Sequence, residues 1–255
     1  MFWCFKRILT SISLILSCFI PLSYAKTVTL SAMDWPPFYG KSLPENGFIA
    51  ALTREAFLRS GYTLELTFMP WKRALSSAQS GLIDGVLGLY YSPEREKTLS
   101  FSESIYISEQ VFIKKRDSTT QAHFNDFKNF QIAAQLGTLQ ADDLEGEGLN
   151  LYPTNNNLVS LTMLAKERVD LALMAREYLL FIQNSEIDPS YSAERIEIMS
   201  PPFRTYEIYN GFSRKFSRYE EITQAFNQGL LAMKQDGTYD AILVRFGLSS
   251  PATSN

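Results

Sequence analysis

The sequence predicts an α/β protein of two lobes, each a mostly parallel sheet flanked by helices, with two extended connections between them. Three observations predict it. Strand-like and helix-like stretches alternate through residues 28–89. The alternation starts afresh near Gln131, after a charged and polar run at 114–121. Each half also places a strand–turn–helix junction at the same edge of its sheet. Ligands of such sheets bind beyond the carboxyl ends of the strands, so the turns at those ends are the candidate site.

Residues 28–33 predict a first strand, Val28, Leu30 and Ala32 alternating with Thr29 and Ser31. Trp35-Pro-Pro-Phe38 then breaks regular structure, because a ladder cannot hold two prolines. Residues 48–60 carry a helical apolar face closed by Gly61, and 62–68 alternate as a strand with Leu64, Leu66 and Phe68 inward. A helix over 71–80 ends at Gly81, and an apolar strand covers 82–89. Ser92-Pro-Glu-Arg95 opens the next helix, with Ser92 as N-cap and Pro93 at its first position. Free backbone N–H groups, the helix dipole and the Arg95 guanidinium are expected to converge there, which suits a carboxylate.

The second half repeats the pattern. Residues 108–114 read as extended, 131–135 as a strand, and 138–145 as a helix behind Gly137-Thr138. An extended stretch at 149–152, a helix at 158–167 and a buried strand at 169–174 follow. Strands at 196–199 and 207–212, an amphipathic helix at 220–234 and a short last helix at 239–246 complete the chain. Two lobes with facing helix starts and two extended joints form a hinged clamp.

The first 25 of the 255 residues read as an export signal: Lys6-Arg7, an apolar run over 8–20, and Ser23-Tyr24-Ala25 before a cleavage point ahead of Lys26. The run is shorter than the roughly 20 residues of a membrane span. Lipid attachment at Cys18 is the alternative, with Leu16 a poor fit to the signal it needs. Both cysteines, Cys4 and Cys18, fall within this segment, so the exported chain is expected to have neither disulfide nor thiolate chemistry. The formal net charge of −3 becomes more negative without Lys6 and Arg7, and no basic stripe marks a nucleic-acid partner. The single histidine, His123, is read as a loop residue, without a second histidine for a metal or a nucleophile beside it. No cofactor, metal site or catalytic residue is expected.

Several motifs, in order, resemble the family 3 periplasmic solute-binding proteins, the amino-acid-binding type that serves ABC transporters. They are Trp35-Pro-Pro-Phe38, Trp71-Lys-Arg-Ala-Leu75, Gly81-Leu-Ile-Asp84, Ser92-Pro-Glu-Arg95, Phe101-Ser102, Leu136-Gly137-Thr138, Arg168-Val-Asp170 and Met233-Lys-Gln-Asp-Gly237-Thr-Tyr239. The resemblance spans nearly the whole chain and implies the type II periplasmic-binding-protein fold. It also implies crossings near 112–115 and 209–212, so that 26–113 and 211–255 form lobe one and 114–210 lobe two. Arg95 matches the arginine that grips a ligand carboxylate, with Ser92 in the same turn and Tyr90 at a ligand-touching position. Thr138 matches the lobe-two donor, and Trp35, Phe38 and Trp71 match the pocket wall. The function implied is capture of a small carboxylate-bearing solute by a periplasmic monomer that docks on a membrane permease. A sensing input for a membrane partner, or a cleft enzyme resembling cyclohexadienyl dehydratase, are the alternatives. One departure stands out: Ala175 occupies the place where amino-acid binders usually carry an aspartate for the ligand's ammonium. Glu177 and Glu207 are the nearby substitutes, each read as an exposed surface carboxylate.

Overall fold

The computed structural model describes residues 26–118, 124–185 and 188–248. The export signal with Cys4 and Cys18, the last residues from 249 on, and His123 lie outside the described residues. None of the described helices is long and apolar enough to cross a membrane.

The first lobe is built as β1 (Lys26–Ala32), α1 (Phe48–Arg59), β2 (Tyr62–Phe68), α2 (Trp71–Ser80) and β3 (Gly85–Tyr90). Strands β2, β1 and β3 are parallel neighbours in that order. Alternation along β2 is as the sequence predicts, Tyr62 and Leu64 buried and Thr63, Glu65 and Thr67 exposed. Gly81 closes α2 in the left-handed region. β3 starts three residues later than the apolar run suggests, with Leu82 81 % exposed in a bend. Asp84 explains the late start. It accepts the Thr29 N–H at 2.9 Å and pairs with Arg218 at 3.0 Å, which fixes the approach to the strand from outside the ladder.

The one-turn helix α3 (Pro93–Glu96), the short β4 (Leu99–Phe101) and the long β5 (Tyr106–Lys115) lead into the second lobe. There β6 (Gln131–Gln135), α4 (Leu139–Gly146), β7 (Asn150–Thr154), α5 (Asn157–Ala165), β8 (Leu171–Ala175) and α6 (Arg176–Asn184) repeat the arrangement, with β7, β6 and β8 parallel neighbours. α6 has no start signal in the sequence: its N-cap is Ala175, which makes no side-chain bond, and its buried Tyr178, Leu179 and Ile182 merge with the apolar strand before it. β9 (Ile196–Ile198), the long β10 (Arg204–Ser213), α7 (Tyr219–Asp236) and α8 (Thr238–Arg245) follow.

β5 and β10 join the lobes. β10 pairs antiparallel with β5 over Arg204–Ile208 and with β3 from Ile208 onward. β5 pairs with β10 over Tyr106–Gln110 and with β8 from Gln110 onward. Each therefore changes partner in mid-strand, at Ile208 and Gln110, just ahead of the stretches where the sequence suggests the crossings. The sheet orders become β2-β1-β3-β10-β4 and β7-β6-β8-β5-β9, the same plan twice with one crossing strand in each. The C-terminal helices return to the first lobe, where α7 lies so close against α1 that a Cβ on Gly229 would come 1.9 Å from the Ala56 carbonyl oxygen. Phe57, Phe212 and Phe226 fill the core beneath that crossing.

Candidate functional site

Between the lobes lies a cavity of about 60 Å³, walled from the first lobe by Met33, Trp35, Tyr39, Trp71, Gly88, Tyr90 and Arg95. The second lobe supplies Gln135, Gly137, Thr138, Leu139, Gln140, Asn157 and Leu173. It opens onto a larger groove of about 1150 Å³ that shares Met33, Trp71, Arg95, Gln135 and Gly137 and adds Asp34, Lys41 and Lys72.

The turn after β3 places the charge. Ser92 Oγ accepts the Arg95 N–H at 3.3 Å and the Ser92 carbonyl accepts the Glu96 N–H at 3.1 Å. These bonds take up the Arg95 and Glu96 amides, and a single turn of helix adds little dipole. The guanidinium therefore carries the charge of this turn. It folds back so that Nη1 donates to the Tyr90 carbonyl at 2.7 Å, and it lies 5.4 Å from the Trp71 ring centre. No carboxylate pairs with it among the described residues. Burial lowers the Arg95 pKa, with the Tyr39 hydroxyl and Asp142 opposing, yet a guanidinium stays charged at any physiological pH.

Trp35-Pro-Pro-Phe38 makes a tight loop closed by paired backbone bonds between Trp35 and Tyr39 at 2.7 and 3.0 Å. The Trp35 ring stands edge-on to Tyr90 at 5.4 Å, making one corner of the wall. Phe38 does not reach the cavity. It is fully buried beneath Trp35, stacked at 4.1 Å, because its other face packs against Phe48. Ser92 also lies outside the cavity, as the cap of the Arg95 turn, facing a surface hollow with Asp143 and Tyr206. Gly88 is a glycine by necessity: its φ is +56°, and a Cβ there would lie 2.5 Å from the Tyr39 ring, whose hydroxyl donates to the Gly88 carbonyl.

Thr138 caps α4. Its Oγ1 accepts the Ala141 N–H at 3.4 Å and donates to the Gln135 carbonyl at 2.8 Å. A buried hydrogen-bonded chain then links the lobes through the crossing strand: Gln140 Nε2 donates to Gln110 Oε1 at 3.0 Å, and Gln110 Nε2 to the Tyr90 hydroxyl at 3.1 Å. Tyr206 on the other crossing strand stacks on Tyr90 at 4.8 Å and donates to Asp143 on α4. Sequence reasoning missed Tyr39, Gln140, Gln110 and Tyr206. The period-two row Tyr106, Ser108, Gln110 on one face of β5 is the local signal for part of this chain; Gln140, two residues past the Thr138 cap, has none.

Glu177 corrects the expectation of a surface carboxylate. It is 6 % exposed, it accepts from Ser108 Oγ at 3.0 Å, and burial raises its pKa. The α6 helix that the sequence does not announce turns it inward behind the cavity wall. Glu207 is exposed, as read, and accepts from the Tyr209 hydroxyl. Ala175 is buried opposite Gln110 in the β5–β8 ladder.

Residues 28–249 match the family model of the bacterial extracellular solute-binding proteins, family 3. The chain belongs to that family. Among its relatives in the family is the arginine-binding extracellular protein ArtP of Bacillus subtilis, 26 % identical over 231 residues, covering 85 % of this chain and 84 % of ArtP. A second is the "Probable histidine-binding protein" of Campylobacter jejuni, 23 % identical over 230 residues, covering 87 % and 86 %. A histidine kinase sensor domain with similarity to periplasmic binding proteins shares the fold, with a TM-score of 0.74, 21 % identity and coverage of 88 % of this chain and 98 % of that one. The fold is the type II periplasmic-binding-protein fold that the motifs suggest.

Proposed function

We propose that the protein captures a small carboxylate-bearing solute between its lobes and hands it to an ABC-type importer. One observation carries this reading: a half-buried guanidinium with no carboxylate partner among the described residues, stacked on Trp71 at a cavity between two lobes. Desolvating a charge without a partner is costly, and a ligand carboxylate held by the two parallel bonds of the Arg95 fork removes that cost. Trp35, Trp71 and Tyr90 hold the ligand's body, and Thr138 approaches from the other lobe. Phe38 and Ser92 act one step back, supporting Trp35 and holding the Arg95 turn.

The lobes are 26–113 with 211–255, and 114–210, moving about β5 and β10. The chain is exported to the periplasm, loses its signal after Ala25 and works as a monomer. It binds without chemistry, a reading supported by a lining that, among the described residues, holds no acidic, histidine or cysteine side chain.

A thermal-shift screen of carboxylates, followed by calorimetric titration, tests the reading. A carboxylate ligand is expected to raise the melting temperature with its concentration over Kd, and to shrink the radius of gyration seen by small-angle scattering. A bound carboxylate that leaves the scattering unchanged would remove the clamp.

A further inference from the structure

The cavity is charged with one sign only. Among the described residues, Arg95 is the single ionised side chain in its lining; the others are aromatic, aliphatic, glycine or neutral polar. The groove outside adds Lys41 and Lys72 against Asp34, whose Oδ1 already accepts the Lys41 N–H at 2.7 Å. The described carboxylates behind the walls face other partners. Glu177 accepts from Ser108, Asp143 takes Tyr206 and lies 3.1 Å from Arg204, and Glu109 pairs with Arg176 at 2.5 Å. Asp142 is exposed on α4. An ammonium brought in beside a carboxylate would therefore sit next to a guanidinium with no anion in the cavity lining to pair with it, which costs on both counts. Gln140, which lines the cavity, gives its amide N–H to Gln110, and its Oε1 sits just behind the wall without a donor among the described residues. A neutral acceptor lacking a partner suits a hydroxyl, which donates without adding charge.

Resting on the proposed carboxylate reading, we propose that the ligand is a hydroxycarboxylate with an apolar or aromatic body: an anion carrying a neutral hydroxyl donor where an amino acid carries its ammonium. Arg95 holds the carboxylate, Gln140 turns its unpartnered Oε1 from behind the wall to accept from the hydroxyl, and Trp35 and Trp71 hold the body.

Matched pairs decide it: calorimetric titration at pH 7.5 with phenyllactate against phenylalanine, indolelactate against tryptophan, and 2-hydroxyisocaproate against leucine. The hydroxy acid is expected to bind at least about tenfold more tightly in every pair that binds at all. Phenylpropionate, which lacks the hydroxyl, is expected to fall below phenyllactate in the wild type and to equal it in Gln140→Ala. The isosteric Gln140→Glu sets a carboxylate in the lining, and should narrow or reverse the preference within each pair. An amino acid that binds as tightly as its hydroxy partner overturns this inference and leaves carboxylate capture standing. Silence from both series, with Arg95→Ala indistinguishable from wild type toward every carboxylate screened, overturns the capture reading and this inference together.

Discussion

The third strand of each half-sheet ends in a turn onto a helix, β3 onto α3 and β8 onto α6, and the two turns treat their charges in opposite ways. After β3, Ser92 caps the turn and Arg95 is left without an ion pair, aimed at the cavity. After β8, nothing caps the turn. Arg176 runs outward to Glu109 on β5, and Glu177 turns inward to the Ser108 hydroxyl. Equivalent places on one repeated plan thus give one charge left without an ion pair, one that is paired, and one carboxylate buried against a neutral hydroxyl. A charged residue at a strand end is not a ligand site by position alone; it becomes one when its neighbours leave it unpaired.

Arg95→Ala should break the contrast most. Losing one partner of a buried, hydrogen-bonded charge pair costs about 2–5 kcal/mol, roughly a thirtyfold to several-thousandfold loss of affinity for the best carboxylate from the screen. Arg95→Lys should recover part of it, a point charge lacking the guanidinium fork. A loss of less than about threefold in a folded protein would move the anion site elsewhere.

The two capping residues sharpen it next. Ser92→Ala and Thr138→Ala each remove a cap worth about 1 kcal/mol of stability, read by denaturant unfolding. Thr138 lines the cavity and Ser92 does not. The one hydroxyl proton of Thr138 goes to the Gln135 carbonyl, so it acts by holding the start of α4 at the wall, and Thr138→Ala should also weaken binding by about three- to tenfold. Equal effects of both on affinity would mean that the Ser92 cap, too, holds the wall.

On the second-lobe side, burial raises the pKa of Glu177 above the ordinary glutamate value. The folded state then holds that proton more tightly than the unfolded chain does. Its contribution to stability is most favourable below the ordinary glutamate pKa and is lost as pH rises through the folded value. Glu177→Gln should therefore raise the melting temperature at pH 7.5 and give no gain near pH 4. A variant less stable at pH 7.5 would mean that the charged carboxylate is itself what Ser108 needs.

Arg176→Ala is the smallest expected change. Its pair with Glu109 is partly exposed, so its removal should cost about 0–1 kcal/mol of stability and less than about threefold in affinity. A loss approaching that of Arg95 would erase the distinction between the two turns.

Signals that act over a few residues were plain in the chain. The alternation of β2, the glycine stop of α2, the Ser92 cap, the turn onto a helix at Gly137-Thr138 and the doubled strand–helix order are all local in this sense, and the structure has each of them. Where no such signal exists the reading failed or slipped: α6 begins on an uncapped Ala175, and the apolar run ahead of β3 hides a bend that Asp84 holds through partners far along the chain. Arg95 and Thr138 were legible as residues of strand–turn–helix junctions, and their meeting at one cavity wall depends on how the lobes pair.

By itself the sequence determined the repeated plan, the type of each turn and the presence of an arginine at the end of β3, because hydrogen bonds between near neighbours and the period of apolar residues set those. Only the tertiary structure decided which charges are spent. Glu109, Ser108 and Gln110 lie on the crossing strand, distant in sequence from the Arg176, Glu177 and Gln140 that they bond. Burial and pairing are properties of that meeting, and no stretch of chain carries them alone.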